Sequence, residues 1–206
     1  MKKKSKEEKS EKKTYYFTII CLSSDIQTYE PMTIIKKYLT LEQSSNIKYG
    51  KNKVEYDHST NAINGRMTRC KFIEVLDINI KNSDCPFADS YLIFINLESE
   101  GIETQIDTIL NYINKNGNSE KKFYFIGIYL DKDNVDCLNE KDEMTKYLGD
   151  KEINFEYEEL NFNSSNELVK ILSYIANDTL KNKMDESLNQ TLDKDQGQGD
   201  SICIIF

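Results

Sequence analysis

The chain has 206 residues, 38% of them hydrophobic, and a formal net charge of −8. That length supports one sizeable core, so a single domain with tails is expected. The apolar runs are too short for a membrane-crossing helix, and the acidity argues against nucleic acid as the main partner. Five cysteines are scattered without a C-x-x-C pair, and His58 is the single histidine. A Cys/His metal site is therefore not expected, and a Ser-His-Asp triad would hang on one residue. The Lys-rich N-terminus has no apolar stretch behind it, so no secretory signal is expected and the thiols are read as reduced.

Residues 1–13 hold seven Lys and three Glu, which leaves −12 on residues 14–206. This segment is expected to be a disordered basic arm, able to solubilise the chain or to meet anionic lipid. Tyr15 to Leu22 (YYFTIICL) is a continuous apolar run, the pattern of a strand buried on both faces. Pro31 then opens a segment with helical apolar spacing, Met32 to Leu39. Two strand-like stretches, 53–63 and 67–77, flank Asn64-Gly65, a strong hairpin signal. Tyr91 to Leu97 (YLIFINL) is another buried strand. Ile102, Ile106, Ile109, Leu110 and Ile113 make a helical stripe that stops at Asn116-Gly117. Phe123 to Leu130 is a strand, Val135 to Leu148 a helix stopped by Gly149, and Ile153 to Tyr157 a last strand. Leu168, Ile171, Leu172 and Ile175 give the apolar face of a final helix. Strands alternating with helices imply an α/β fold: a mostly parallel six-stranded sheet, helices on both faces, one antiparallel edge from the hairpin.

Residues 183–206 are polar and are expected to form a flexible tail. They end in Cys203-Ile204-Ile205-Phe206, which reads as a CaaX prenylation signal on Cys203, with Phe at the end pointing to geranylgeranyl. The stalk cannot add a second, electrostatic membrane signal, because residues 184–206 carry five acids against one Lys.

This order of elements, closed by a prenylation signal, resembles the Ras superfamily of small GTPases, Rab proteins most closely. The resemblance spans about residues 14–182. INGRMTRCKFIEVLD looks like the second and third strands of a Rab, and KKFYFIGIYLDKDNV sits where a Rab has its fifth strand and guanine-specificity motif. VDCLNEKDEMTKYLGDKEINFEYEELN looks like the helix and strand that follow. The resemblance implies a P-loop-NTPase-like small-GTPase fold. It also implies membrane attachment through the prenyl group, effector- or escort-like protein partners, and a place on the cytoplasmic face of an intracellular membrane with a cytosolic pool. Vesicle trafficking or signalling is the implied setting.

The nucleotide motifs depart from that pattern. A P-loop, G-x-x-x-x-G-K-S/T, wraps phosphate in backbone N–H groups, neutralises it with Lys and holds Mg²⁺ with a hydroxyl. Here the turn from Leu22 to Pro31 (LSSDIQTYEP) has no Gly and no Lys. Only Ser23, Ser24 and Thr28 remain as candidate phosphate donors. The D-x-x-G motif aligns with Asp77-Ile78-Asn79-Ile80. The resemblance makes Asp77 the candidate Mg²⁺-supporting residue, while the sensing Gly is Ile80 and the water-orienting Gln is Lys81. Of N-K-x-D only Asp131 survives, as a candidate guanine contact, and S-A-K maps to Glu159-Leu160-Asn161. Phosphoryl transfer depends on positioning and charge stabilisation, so losing these parts together removes the catalytic apparatus. The expectation is a catalytically inactive, prenylated binding module with no cofactor. GTP or GDP with Mg²⁺ belongs to the alternative of a divergent working GTPase, and a nucleotide-free structural scaffold is the other alternative.

Overall fold

The computed structural model describes residues 15–23, 34–37, 46–51, 53–63, 66–75, 88–115, 120–131 and 141–197. The three longest apolar runs form the centre of one sheet. They are β1 (Tyr15–Ser23), β5 (Ser90–Asn96) and β6 (Lys122–Tyr129). Every residue of β5 is buried, as expected of a strand covered on both faces. The remaining strands are β2 (Asn46–Tyr49), β3 (Lys53–Ile63), β4 (Arg66–Val75) and β7 (Phe155–Asn161). Their order across the sheet is β2-β3-β4-β1-β5-β6-β7. β4, β1, β5, β6 and β7 are mutually parallel. β3 pairs antiparallel with β4, in the expected hairpin, and β2 pairs antiparallel with β3.

Among the described residues the sheet thus has seven strands, not six. The added edge strand β2, NIKY, is four residues long. It is too short to show either an apolar run or a convincing alternation, and so it escapes pattern reading. β7 begins two residues later than expected. After α3 (Lys141–Gly149), a turn with Glu152 at φ 54° delays the strand, leaving Ile153 in the connection.

Two apolar layers cover the sheet. On one face Phe17, Ile19, Tyr124 and Ile126 pack with Ile34 and Ile35 of α1, helical over its described residues 34–37. The same layer takes Leu168, Leu172, Ile175 and Leu180 of α4 (Ser165–Gly197). On the other face Ile20, Leu22, Ile93 and Phe125 pack with α2 (Ile102–Lys115) and with Met144 and Leu148 of α3. The expected stripe of α2, from Ile102 to Ile113, is the face it buries. Each fully buried side chain of this kind contributes about 1.5–3 kcal/mol. Helices on both faces of a mostly parallel sheet make the α/β architecture expected from the sequence.

The last helix corrects the expectation of a flexible tail from residue 183, because α4 continues to Gly197. The physical reasons are contacts with distant parts of the chain and an unbroken helical sequence. Met184 packs against the core, Lys183 bonds Asp89 at 3.0 Å, and Glu186 bonds Lys121 at 2.9 Å. Between Met184 and Gln196 there is neither Gly nor Pro, and the helix stops at the first glycine. A polar cluster holds α4 at the amino end of the sheet. Lys122 bonds Asp178 at 2.6 Å, Tyr124 donates to Asp178 at 2.5 Å, and Ser90 and Thr179 share a bond of 2.8 Å. Burial opposes charge on Lys122 and on Asp178. The hydrogen bonds around them outweigh it, raising the lysine pKa and lowering that of the carboxyl.

The hairpin turn Asn64-Gly65, the start of the helix at Pro31, residues 135–140 of the expected third helix, the stop at Asn116-Gly117, the basic arm and residues 198–206 lie outside the described residues.

One glycine is set by packing. A Cβ on Gly127 would lie 2.5 Å from the Tyr157 hydroxyl and 2.8 Å from Leu97 Cδ1. Gly127→Ala should therefore cost about 1–3 kcal/mol through overpacking. Thermal unfolding will report it as a lower midpoint, and Tyr157→Phe in the same chain, which removes the nearest atom, should recover part of the loss.

Candidate functional site

In an open α/β sheet, ligands bind beyond the carboxyl ends of the strands, where successive connections leave to opposite faces. Here β1 is followed by α1 on one face, and β5 by α2 on the other. The crevice lies between β1 and β5, which are direct neighbours with Ser23 opposite Phe94. Ser23 ends β1 and is buried. β4 runs parallel to β1 and ends at Val75, two residues before Asp77. Asp131 follows β6 and is exposed.

Ser23 and Asp131 therefore share one edge of the sheet. They sit two strands apart, at a spacing of roughly 10 Å. They are brought to the same crest but not together. Ser24, Thr28 and Asp77, along with Cys203 of the terminal motif, lie outside the described residues.

The crest is occupied by side chains that cap the strand ends. Asn96, 7% exposed, accepts the Glu98 N–H on Oδ1 at 3.0 Å, and its carbonyl accepts the Ser99 hydroxyl at 2.8 Å. This folds the chain back after β5 as an Asx-type turn. Glu98 Oε1 then accepts two backbone N–H groups beyond β6, from Leu130 at 3.2 Å and Asp131 at 2.9 Å. Asn161, ending β7, donates to the Leu130 carbonyl at 3.3 Å and accepts the Asn163 N–H at 2.9 Å. Main-chain bonds from Leu97 to Ile128 and from Phe162 to Tyr129, both 2.9 Å, complete the stitching. Lys37 of α1 reaches across to the Phe162 carbonyl at 3.0 Å, with its ammonium 5.3 Å from the Phe162 ring centre.

Electrostatically this edge is acidic. Glu98 and Asp131 stand on it with Glu100 beside them, and the Glu98 carboxylate already takes two backbone donors of the kind that would receive an anion. Two thiols offer no chemistry. Burial, then the nearby Glu74 carboxylate, pushes Cys21 well above its ordinary pKa, and burial does the same to Cys70. Glu74 is itself 3% exposed, with the Tyr56 hydroxyl at 3.5 Å. Among the described residues no group of three or more His, Cys, Asp or Glu is arranged to hold a metal ion.

Sequence reading missed the capping set Asn96, Glu98 and Asn161. A signal existed, since Asn directly after a buried apolar run marks a turn that closes on its own backbone. The partner of Glu98 had no such signal, because it lies 32 and 33 residues away on the next strand.

The chain matches no protein-family model, and a search of curated proteins finds no significantly similar sequence.

Glu98 makes a direct prediction. Glu98→Ala leaves two N–H groups without their acceptor and should cost about 1 kcal/mol of stability. Amide exchange at Leu130 and Asp131 should speed up in that variant, while the β5 core amides keep their protection. Unchanged exchange at both positions would mean the carboxylate does not hold the crest.

Proposed function

We propose that the chain is a Rab-like member of the small-GTPase fold that has given up nucleotide chemistry and works as a prenylated, membrane-tethered binding module in vesicle trafficking or signalling. The observation that carries this reading is the turn after β1. From Leu22 to Pro31 it has neither the glycines that let backbone N–H groups wrap phosphate nor the Lys that neutralises it.

The arrangement of the sheet supports it. A mostly parallel sheet with one antiparallel hairpin beside β1 is what the resemblance implies. The crest supports it too, because the Glu98 carboxylate already takes the backbone N–H groups of Leu130 and Asp131. Each charge-stabilising element of a phosphoryl-transfer site is worth several kcal/mol, and here they are replaced together. Asp77 and the hydroxyls of Ser23, Ser24 and Thr28 are what is left to meet Mg²⁺ or phosphate under the alternative of a working GTPase.

The geometry of the two ends supports the tethering half of the proposal. α4 starts beside the carboxyl end of β7 and runs to the opposite end of the sheet, where Lys183 meets Asp89 and Glu186 meets Lys121. From Glu186 to Gly197 it extends a further ~16 Å at helical rise. β1 enters at that same end, at Tyr15. The described chain thus begins at Tyr15 and ends at Gly197 on the side of the sheet away from the crest. One prenyl chain binds a bilayer only marginally, so a second signal on the same side is what stable attachment needs. Tyr16, 60% exposed, and Arg69, 6.0 Å from its ring centre, stand at this end as an aromatic and a cation suited to a headgroup layer.

Two measurements test the halves separately. Mg²⁺-GDP should leave the thermal unfolding midpoint where it is, because only a ligand of the native state raises it; a rise of several degrees overturns the loss of nucleotide binding. In cell fractionation, Cys203→Ser should be wholly soluble, and a variant with the arm's Lys changed to Gln should be partly released. Equal membrane retention of Cys203→Ser and the wild type would remove the anchor from the account.

A further inference from the structure

β7 is the last strand of the sheet, and among the described residues no strand lies beyond it. Its ladder with β6 fixes which backbone groups are used. Phe123 donates to the Asn154 carbonyl and Phe162 donates to the Tyr129 carbonyl, both at 2.9 Å. By the alternation of a parallel ladder, the N–H and C=O of Phe155, Tyr157 and Glu159 point away from the sheet. An outward row of this kind is a template for another strand.

Above that edge lies a cavity of about 330 Å³. Its cause is in the β7 sequence. The positions of β7 that face α4 beside Tyr124 and Ile126 are Glu156 and Glu158. Carboxylates there cannot enter an apolar layer, so α4 packs over the neighbouring strands and leaves a trough at the edge. The floor is Tyr124 and Ile126, and the helix wall is Ile171 and Ile175. Tyr174, half exposed, closes one side and donates to Glu156 at 3.1 Å. Glu156 is also held by Lys122 at 2.5 Å. Glu158 has a looser partner. Its bridge to Lys141 spans 3.1 Å between side chains that are both more than half exposed, and such a pair is worth about 0–1 kcal/mol. An incoming cation can replace Lys141 at little cost.

We infer that this edge and trough form a strand-addition site for an extended basic segment of a partner protein, which pairs with Phe155–Glu159, sets a Lys or Arg against Glu158 and seats a long apolar or aromatic side chain in the trough. Main-chain pairing supplies affinity, and the side-chain positions supply choice. Glu158 on the trough side and Glu159 on the other face select the sign of the partner, while Glu156 is already held by Lys122 and Lys170 also lines the trough. The β7 glutamates also reject a second copy, since an antiparallel self-pair would set glutamate against glutamate. An apolar prenyl group could fill the trough but offers nothing to the outward N–H and C=O groups of Phe155, Tyr157 and Glu159. The site is at the β7 edge, away from the β1–β5 crevice, and stands whatever that crevice holds.

The test uses the full chain and a fluorescent, end-blocked peptide of roughly eight residues alternating Lys and Phe. Saturable binding by anisotropy is expected, together with slowed amide exchange at Phe155, Tyr157 and Glu159. A peptide with Pro at its centre should bind at least tenfold more weakly, because it cannot donate to the ladder. Glu158→Lys, at an exposed position, should keep its unfolding midpoint, weaken the Lys-Phe peptide about tenfold, and gain binding to the Glu-Phe counterpart. Tyr174→Ala should weaken the Lys-Phe peptide without changing its dependence on Glu158. No saturation, equal binding of the Pro peptide, or no protection at the three amides overturns the site. So does sedimentation showing that the unliganded chain self-associates through β7, since a second copy would then be the occupant.

Discussion

Strand β1 is hydrogen-bonded on both edges and buried on both faces, and the placement of every other element follows from that. β4 and β5 pair with it in parallel, and the helices that follow β1 and β5 cover opposite faces of the sheet. The opposite faces taken by α1 and α2 open the crevice at its carboxyl end. Its amino end is locked by Asp89. The Thr18 N–H donates to Asp89 Oδ2 at 2.7 Å, the Asp89 N–H returns to the Thr18 carbonyl at 2.8 Å, and Lys183 of α4 bonds the same carboxylate at 3.0 Å. One carboxylate ties the central strand, the loop before β5 and the last helix together. The start of β1 and the far part of α4 are thereby held on the side of the sheet opposite the crest.

What could be read from the sequence was whatever one element writes in its own residues. Tyr91–Ile95 and Phe123–Ile128 are apolar throughout because both faces are covered, and no helix pattern fits them. Ile102 to Ile113 gives its helix by spacing, and Asn64-Gly65 gives the hairpin even though that turn lies outside the described residues. The misses have a shared cause in distance or brevity. β2 is four residues held by β3, so its signal is in its partner. The helix beyond residue 183 is fixed by Asp89 and Lys121, which lie far away along the chain. At the site, the motif positions Ser23 and Asp131 were legible by alignment. The interactions that fill the crest were not, because Glu98 acts on the next strand's backbone. The trough above β7 was illegible for the same reason: FEYEELN shows three glutamates, but only the register against Tyr124 and Ile126 turns two of them into a rim.

Among the described residues, polar side chains at the crest take up strand-end backbone groups, and outward-facing backbone lies at the β7 edge. Backbone N–H groups are obligatory donors, and each must find an acceptor. At the crest Glu98, Asn96 and Asn161 supply or receive those bonds. At β7 the outward groups of Phe155, Tyr157 and Glu159 are left to water or to a partner. A fold can keep its architecture while its working surface moves, because the architecture depends on the buried faces and function depends on the residues placed at the rim.

The central claim is that the crest no longer holds a guanine nucleotide, and the most direct measurement is the nucleotide content of the protein as purified. The full-length chain should be isolated in Mg²⁺ without added nucleotide, denatured, and the released small molecules separated by ion-exchange chromatography. The account predicts no guanine nucleotide above the level carried by an unrelated protein purified in parallel. An amount of GDP or GTP equimolar with the chain would contradict it, and would make Asp131 and Asp77 the first residues to mutate in a working site.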